Sequence, residues 1–155
     1  MTSHKISTLL FGLCTTLSLS TFAAGDPLVG TWKTIDDRTG YSLSDVVIRK
    51  DKDKDNHYSA TIINTRNIPG ATHYDICSKC SGPQKNQPLI GLTTMTGLTA
   101  DPSQENSFVG GVILDPKSGQ HYHARARLMS NGKHLVIHGR LEGSSLGRNV
   151  TWVKN

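Results

Sequence analysis

From Ser107 to Val153 the chain writes out three strand-turn-strand units in succession. Asp115-Pro116-Lys117-Ser118-Gly119 and Ser130-Asn131-Gly132-Lys133 are turn signals between alternating apolar runs, and Glu142-Gly143-Ser144-Ser145 breaks the chain before a last strand ending in Trp152. Such regularity predicts an antiparallel all-β fold. The Asn131-Gly132 turn also sets a register. It pairs Met129 with His134, Leu128 with Leu135, Ala126 with Ile137, Ala124 with Gly139 and Tyr122 with Leu141. The face shared by Tyr122, Ala124, Ala126 and Leu128 with Leu141, Gly139, Ile137 and Leu135 is apolar except for one hydroxyl, so it is expected to point inward. The other face holds His121, His123, Arg125 and Arg127 against Val136, His138, Arg140 and Glu142.

Four further segments, ahead of these, extend the pattern. Strands are expected over 29–35, 43–49, 57–65 and 88–96, followed by 108–114, 121–129, 134–141 and 146–153. No stretch carries sustained helical periodicity. Eight short strands in sequence order predict an up-and-down antiparallel barrel, whose closure removes exposed sheet edges. A two-sheet sandwich is the alternative. Eight strands enclose a space just wide enough for packed side chains or one small ligand. The small residues Ala124 and Ala126, opposite Gly139, predict room for a ligand on their face, with the Tyr122 hydroxyl as a polar handle.

The start of the chain reads as a secretory leader. His4 and Lys5 precede an apolar stretch from Ile6 to Phe22, and Ala23-Ala24-Gly25 offers small residues for cleavage. Residues 1–24 are therefore expected to be removed, leaving one domain over 25–155 in the periplasm or outside the cell. No second apolar segment is long enough to span a membrane. Cys14, within the leader, follows bulky Leu13, which argues against a lipid anchor. The chain carries 17 basic and 12 acidic residues; without Lys5 the balance is 16 against 12, a net charge of +4. No polybasic run stands out and aromatics are few, so a nucleic-acid partner is not expected.

After export two cysteines remain, Cys77 and Cys80, in one Cys-x-x-Cys. An oxidising compartment favours a disulfide between them. One pair cannot supply a four-thiolate zinc site, and Ser81 replaces the His of a haem-attachment motif. A redox role stays open, although Gly82-Pro83 argues against the helix that such pairs usually begin. The cysteines sit in the longest irregular stretch, residues 66–87, a length that is usually functional or stapled.

Other chemistry is sparse. Asp51-Lys52-Asp53-Lys54-Asp55-Asn56 alternates carboxylates, but Asn56 and Ile62 stand where a calcium loop needs Gly and Glu. His121, His123 and His138 could approach one another, yet Arg125, Arg127 and Arg140 around them disfavour a cation, so no metal and no cofactor is expected. The same basic face could attract anionic envelope components. Asp36 and Asp37 follow the first strand, where one carboxylate can face inward. Nothing demands an enzyme.

Gly30-Thr31-Trp32 and Gly147-Arg148-Asn149-Val150-Thr151-Trp152 belong to the first and last strands, neighbours in a closed barrel. Arg148 is expected to stack on the flat face of Trp32, with Gly30 allowing close approach. This pairing resembles the closure of calycins, the superfamily of lipocalins and avidins. With Cys77-Ser78-Lys79-Cys80-Ser81-Gly82, Gly110-Gly111-x-Ile113-x-Asp115-Pro116-x-x-Gly119-x-x-Tyr122 and Gly147-Arg148-x-x-x-Trp152, the mature chain resembles the small exported proteins of domain-of-unknown-function family twenty-one forty-seven. The resemblance implies a calycin-like barrel of Gram-negative bacteria. Tyr58-Ser59-Ala60 and His138-Gly139-Arg140-Leu141 depart from the family pattern. The expected function is binding of a small, partly apolar molecule, with Trp32, Asp36, Tyr122, Arg148 and Trp152 lining or closing the barrel. A filled barrel serving as an envelope interaction or structural protein, and a thiol-disulfide protein, are the alternatives.

Overall fold

The computed structural model describes residues 25–155; the expected leader and Cys14 lie outside the described residues. Eight strands follow in order: β1 (Gly30–Ile35), β2 (Ser42–Lys50), β3 (His57–Thr65), β4 (Thr93–Ala100), β5 (Ser107–Asp115), β6 (Gln120–Leu128), β7 (His134–Leu141) and β8 (Gly147–Lys154). Each pairs antiparallel with its sequence neighbours, and β8 returns to β1 to close an up-and-down barrel. Closure excludes the sandwich alternative. The β6–β7 register runs Tyr122 to Leu141, Ala124 to Gly139, Ala126 to Ile137 and Leu128 to Leu135, as the Asn-Gly turn dictates.

The fourth strand lies later than the sequence pattern suggests. Pro88 and Leu89 pair within the long loop, where Ile76 bridges Pro88 and the Leu89 amide donates to the Asp75 carbonyl, while Gly91 and Leu92 bond back to Ile62 of β3. The strand then runs through Gly97, whose φ of +69° is a left-handed conformation open to glycine at little cost. Gly97 lies against the Gly110 carbonyl of β5, so a residue that looks like a terminator is a bend within the sheet.

The barrel is packed solid in one half. Trp32, Ile48, Ala60, Leu98, Leu135 and Ile137 are fully buried, and Tyr58 meets Phe108 edge-on at 5.8 Å. The segment ahead of β1 seals this end. Leu28 is 0 % exposed, and its carbonyl accepts the Trp32 indole N–H at 2.9 Å. Asp26 accepts from the Tyr58 hydroxyl at 2.8 Å and the Leu28 amide at 3.0 Å, and pairs with Lys50 at 2.9 Å. These bonds tie the N-terminal segment to the ends of β2 and β3.

A second, smaller core holds the Cys77–Cys80 disulfide against Leu92, Leu114 and half-buried Leu89. Gly119 is the reason that this loop can dock. A Cβ there would overlap the Lys79 carbonyl, and its φ of +73° suits only glycine. The Cys77 and Cys80 sulfurs close a very short ring, so chain entropy contributes at the low end. Replacing both by Ala is expected to lower stability by about 2 kcal/mol, measured by urea denaturation of oxidised protein. An unchanged midpoint would show that the Leu89, Leu92 and Leu114 contacts hold the loop unaided.

Candidate functional site

The open half of the barrel contains a cavity of about 520 Å³. Its mouth lies at the end of β1, β3, β5 and β7 and the start of β2, β4, β6 and β8. The wall has an apolar belt formed by Val46, Ile62, Ile113, Ile137, Val150 and Trp152. These side chains face inward because each strand alternates its faces. Toward the mouth the lining turns polar. Thr34 and Ser44 share a hydroxyl–hydroxyl bond of 2.8 Å, and Thr94, 8 % exposed, lines the same space. The long loop supplies a further wall through Ile68 and residues 71–74.

Charges ring the mouth. Arg148 grips Asp37 through two bonds, one of them 3.0 Å from Nε, and its terminal nitrogen lies 3.8 Å from Asp36. The Arg148 bond, reinforced by its charge, holds the Asp37 carboxyl below the usual carboxylate range and pushes the guanidinium up. Arg66 donates to Asp45 at 2.6 Å and to Ser42 at 2.9 Å. Burial would raise the Asp45 carboxyl, but the bonds from Arg66 and Asn64 prevail and hold it low. Arg66 and Arg148 are thus committed to protein carboxylates. Arg38 and Lys117 also line the mouth.

Of the residues singled out from sequence, Asp36, Tyr122, Arg148 and Trp152 border this cavity and Trp32 does not. Trp32 belongs to the sealed end. The expected Arg148–Trp32 stack is replaced by another pair: Lys154 lies 5.2 Å over the Trp32 ring and donates to the Pro27 carbonyl at 2.5 Å. The β1–β8 register sets Trp32 opposite Lys154, six residues and roughly 20 Å of strand from Arg148. The same register leaves Arg148 beyond the end of β1, where the turn carboxylates Asp36 and Asp37 meet it. Period two carries the Arg148 face on to Lys154, and that was the available signal. Gly30 approaches the Lys154 side chain, at 3.4 Å from a notional Cβ.

The room expected over Ala124 and Ala126 is filled. Ala126 pairs with Phe108, and Leu98 leans on Gly111, the partner of Ala124. The cavity instead lies along the strand at Tyr122 and Gly139. The Tyr122 hydroxyl donates to Gln120 at 3.0 Å, toward the rim. His121, His123 and His138 stand on the outer face. His138 is bonded to Asn149 at 2.7 Å, His123 lies 3.9 Å from Glu142, and the described residues form no group of three metal-ligating side chains.

Residues 30–154 match a family model described as an uncharacterized protein conserved in bacteria (DUF2147). No curated protein matches the chain. A solved structure described as protein HP1028 from the human pathogen Helicobacter pylori, belonging to the lipocalin family, is similar with a TM-score of 0.64. The two are 20 % identical over 83 % of this chain and 82 % of that one, a likeness that establishes the shared barrel fold.

Proposed function

The chain belongs to this bacterial family (DUF2147), and from its half-hollow barrel we propose that it is an exported protein that binds a small, partly apolar molecule. The observation that carries this reading is the 520 Å³ cavity with an apolar belt and a polar, charged mouth. Its size is that of sites for drug-sized ligands, and its composition suits a molecule with an apolar body and a polar end. The periplasm or the exterior is the compartment that fits the leader pattern and the disulfide. The reading requires no reaction step. Burial of Cys77 and Cys80, at 0 % and 2 % exposure, gives thiol exchange little access and disfavours the redox alternative.

An uncharged naphthylamine dye tests this directly. Trp152 borders the cavity and Trp32 does not. Dye binding is therefore expected to shift the emission of Trp152, which contacts it, and to draw energy transfer from both tryptophans, since Trp32 lies one diagonal step, about 8 Å, along the sheet. Val150→Phe places a larger side chain in the cavity and is expected to weaken the dye about tenfold or more, with unchanged circular dichroism. Dye affinity that ignores Val150→Phe would place binding elsewhere.

A further inference from the structure

The outer face of β6 and β7 carries a separate pattern that the cavity does not use. His121, His123, Arg125 and Arg127 form one outward row on β6, all exposed. On β7, His138 pairs with Arg125 and Arg140 with His123, so a second row runs alongside the first. The guanidiniums of Arg125, Arg127 and Arg140 take part in none of the ion pairs of the described residues. Glu142 lies 3.9 Å from His123 at the mouth end of the row. Arg148 and Arg66, by contrast, are each held by carboxylates. Cations left without partners on a folded surface are available to a partner of opposite charge.

The shape of this face narrows the partner. Beside the β4–β5 turn it dips into a groove of about 350 Å³, lined by Arg125, Arg127 and His138 with Val109 and Val136. Asp101, whose Oδ1 accepts from the Ser103 amide at 2.9 Å and hydroxyl at 2.6 Å, is the one acid in the groove's lining, against the two arginines. Elsewhere the charges are spread in two parallel rows, with about 6.6 Å between successive same-face residues and about 4.8 Å between strands. They do not converge on one point, as a site for a single anion would. Val109 and Met129 add exposed apolar side chains, Val109 in the groove and Met129 continuing the β6 row. Spread cations with interleaved apolar side chains are the composition of a surface that sits on anionic lipid headgroups.

We propose that the outer face of β6 and β7 docks on an anionic lipid surface, through the headgroup phosphates, with Arg125, Arg127 and Arg140 as the principal contacts. The proposal is independent of what fills the cavity. In this orientation the strands lie along the membrane, and the mouth, bordered by Tyr122 and Gly139 of the same two strands, opens beside it.

Vesicle co-sedimentation of the purified protein tests it. Phosphatidylcholine vesicles containing phosphatidylglycerol should bind the protein, pure phosphatidylcholine should not, and rising salt should release it. Each arginine is expected to contribute about fivefold, so Arg125→Gln, Arg127→Gln and Arg140→Gln together should weaken binding roughly a hundredfold. Arg49→Gln, Lys52→Gln and Lys54→Gln remove the same charge from the β2–β3 side and should leave most of the affinity. Naphthylamine binding in the cavity should survive the β6–β7 triple, which confirms its fold; should the triple fail to fold, the single variants at Arg125 and Arg140 replace it. Equal losses in the two triples, equal binding to neutral vesicles, or capture by inorganic phosphate or heparin with vesicles ignored would each overturn the proposal.

Discussion

Trp32→Ala is expected to lower stability by about 3–5 kcal/mol, the range for removing a buried aromatic side chain. That is a large share of the total stability of a domain of this size. Trp32 is 0 % exposed and sits where three devices meet. Its indole N–H is satisfied by the Leu28 carbonyl, its ring lies under the Lys154 ammonium, and that ammonium is bonded in turn to the Pro27 carbonyl. Truncation leaves a cavity, strands the Leu28 carbonyl and removes the surface on which Lys154 rests. Trp32→Phe retains most of the volume and is expected to cost less. Urea unfolding, followed by emission from Trp152, measures both; a loss under about 1 kcal/mol for Trp32→Ala would mean that the sealed end contributes little.

Legibility in this sequence follows the range of the interaction involved. The β6–β7 hairpin could be registered residue by residue because a two-residue Asn-Gly turn fixes pairing locally. The fourth strand could not. Pro88-Leu89-Ile90-Gly91-Leu92 has the composition of a strand, yet Ile90 is 59 % exposed and the run is spent on the disulfide loop. The cavity was expected on the right face of β6 and at the wrong height. Ala124 and Ala126 are small, but the space over them is taken by Phe108 of β5 and Leu98 of β4, and the pattern of one strand does not tell which side chains of its neighbours lean over it. The Trp32–Lys154 pairing is of the same kind. It depends on the stagger accumulated around all eight strands, which no local pattern around Arg148 or Lys154 contains. Asp36, Tyr122 and Trp152 lie at the mouth end through the same stagger. The ligand is not written in any local pattern, because the cavity is assembled from side chains of all eight strands and the long loop.

Between pH 10 and pH 12 the protein is expected to lose about 2–3 kcal/mol of stability through one phenol. Tyr58 is 5 % exposed and donates to the Asp26 carboxylate at 2.8 Å. Burial, and then the bond to Asp26, push its pKa up from 10.0 to about 12. The unfolded chain gives up this proton near pH 10 and the folded chain holds it to about pH 12. In that window the folded state binds more protons than the unfolded one, so stability falls as pH rises. The contribution is complete below pH 10 and gone above the folded pKa. Tyr58→Phe removes the titrating group. The variant should be about 1 kcal/mol less stable at neutral pH, for the lost hydrogen bond, and should lack this part of the alkaline loss. Urea midpoints of the two proteins on either side of the window measure the difference, and parallel losses would assign the alkaline sensitivity to another group. Asp26 lies on the segment that carries Leu28 over the packed end. Ionising Tyr58 beside the Asp26 carboxylate sets two anions against each other at that seal. The alkaline transition is therefore expected to begin by loosening the closed end of the barrel, with dye binding at the opposite mouth retained until the barrel itself unfolds.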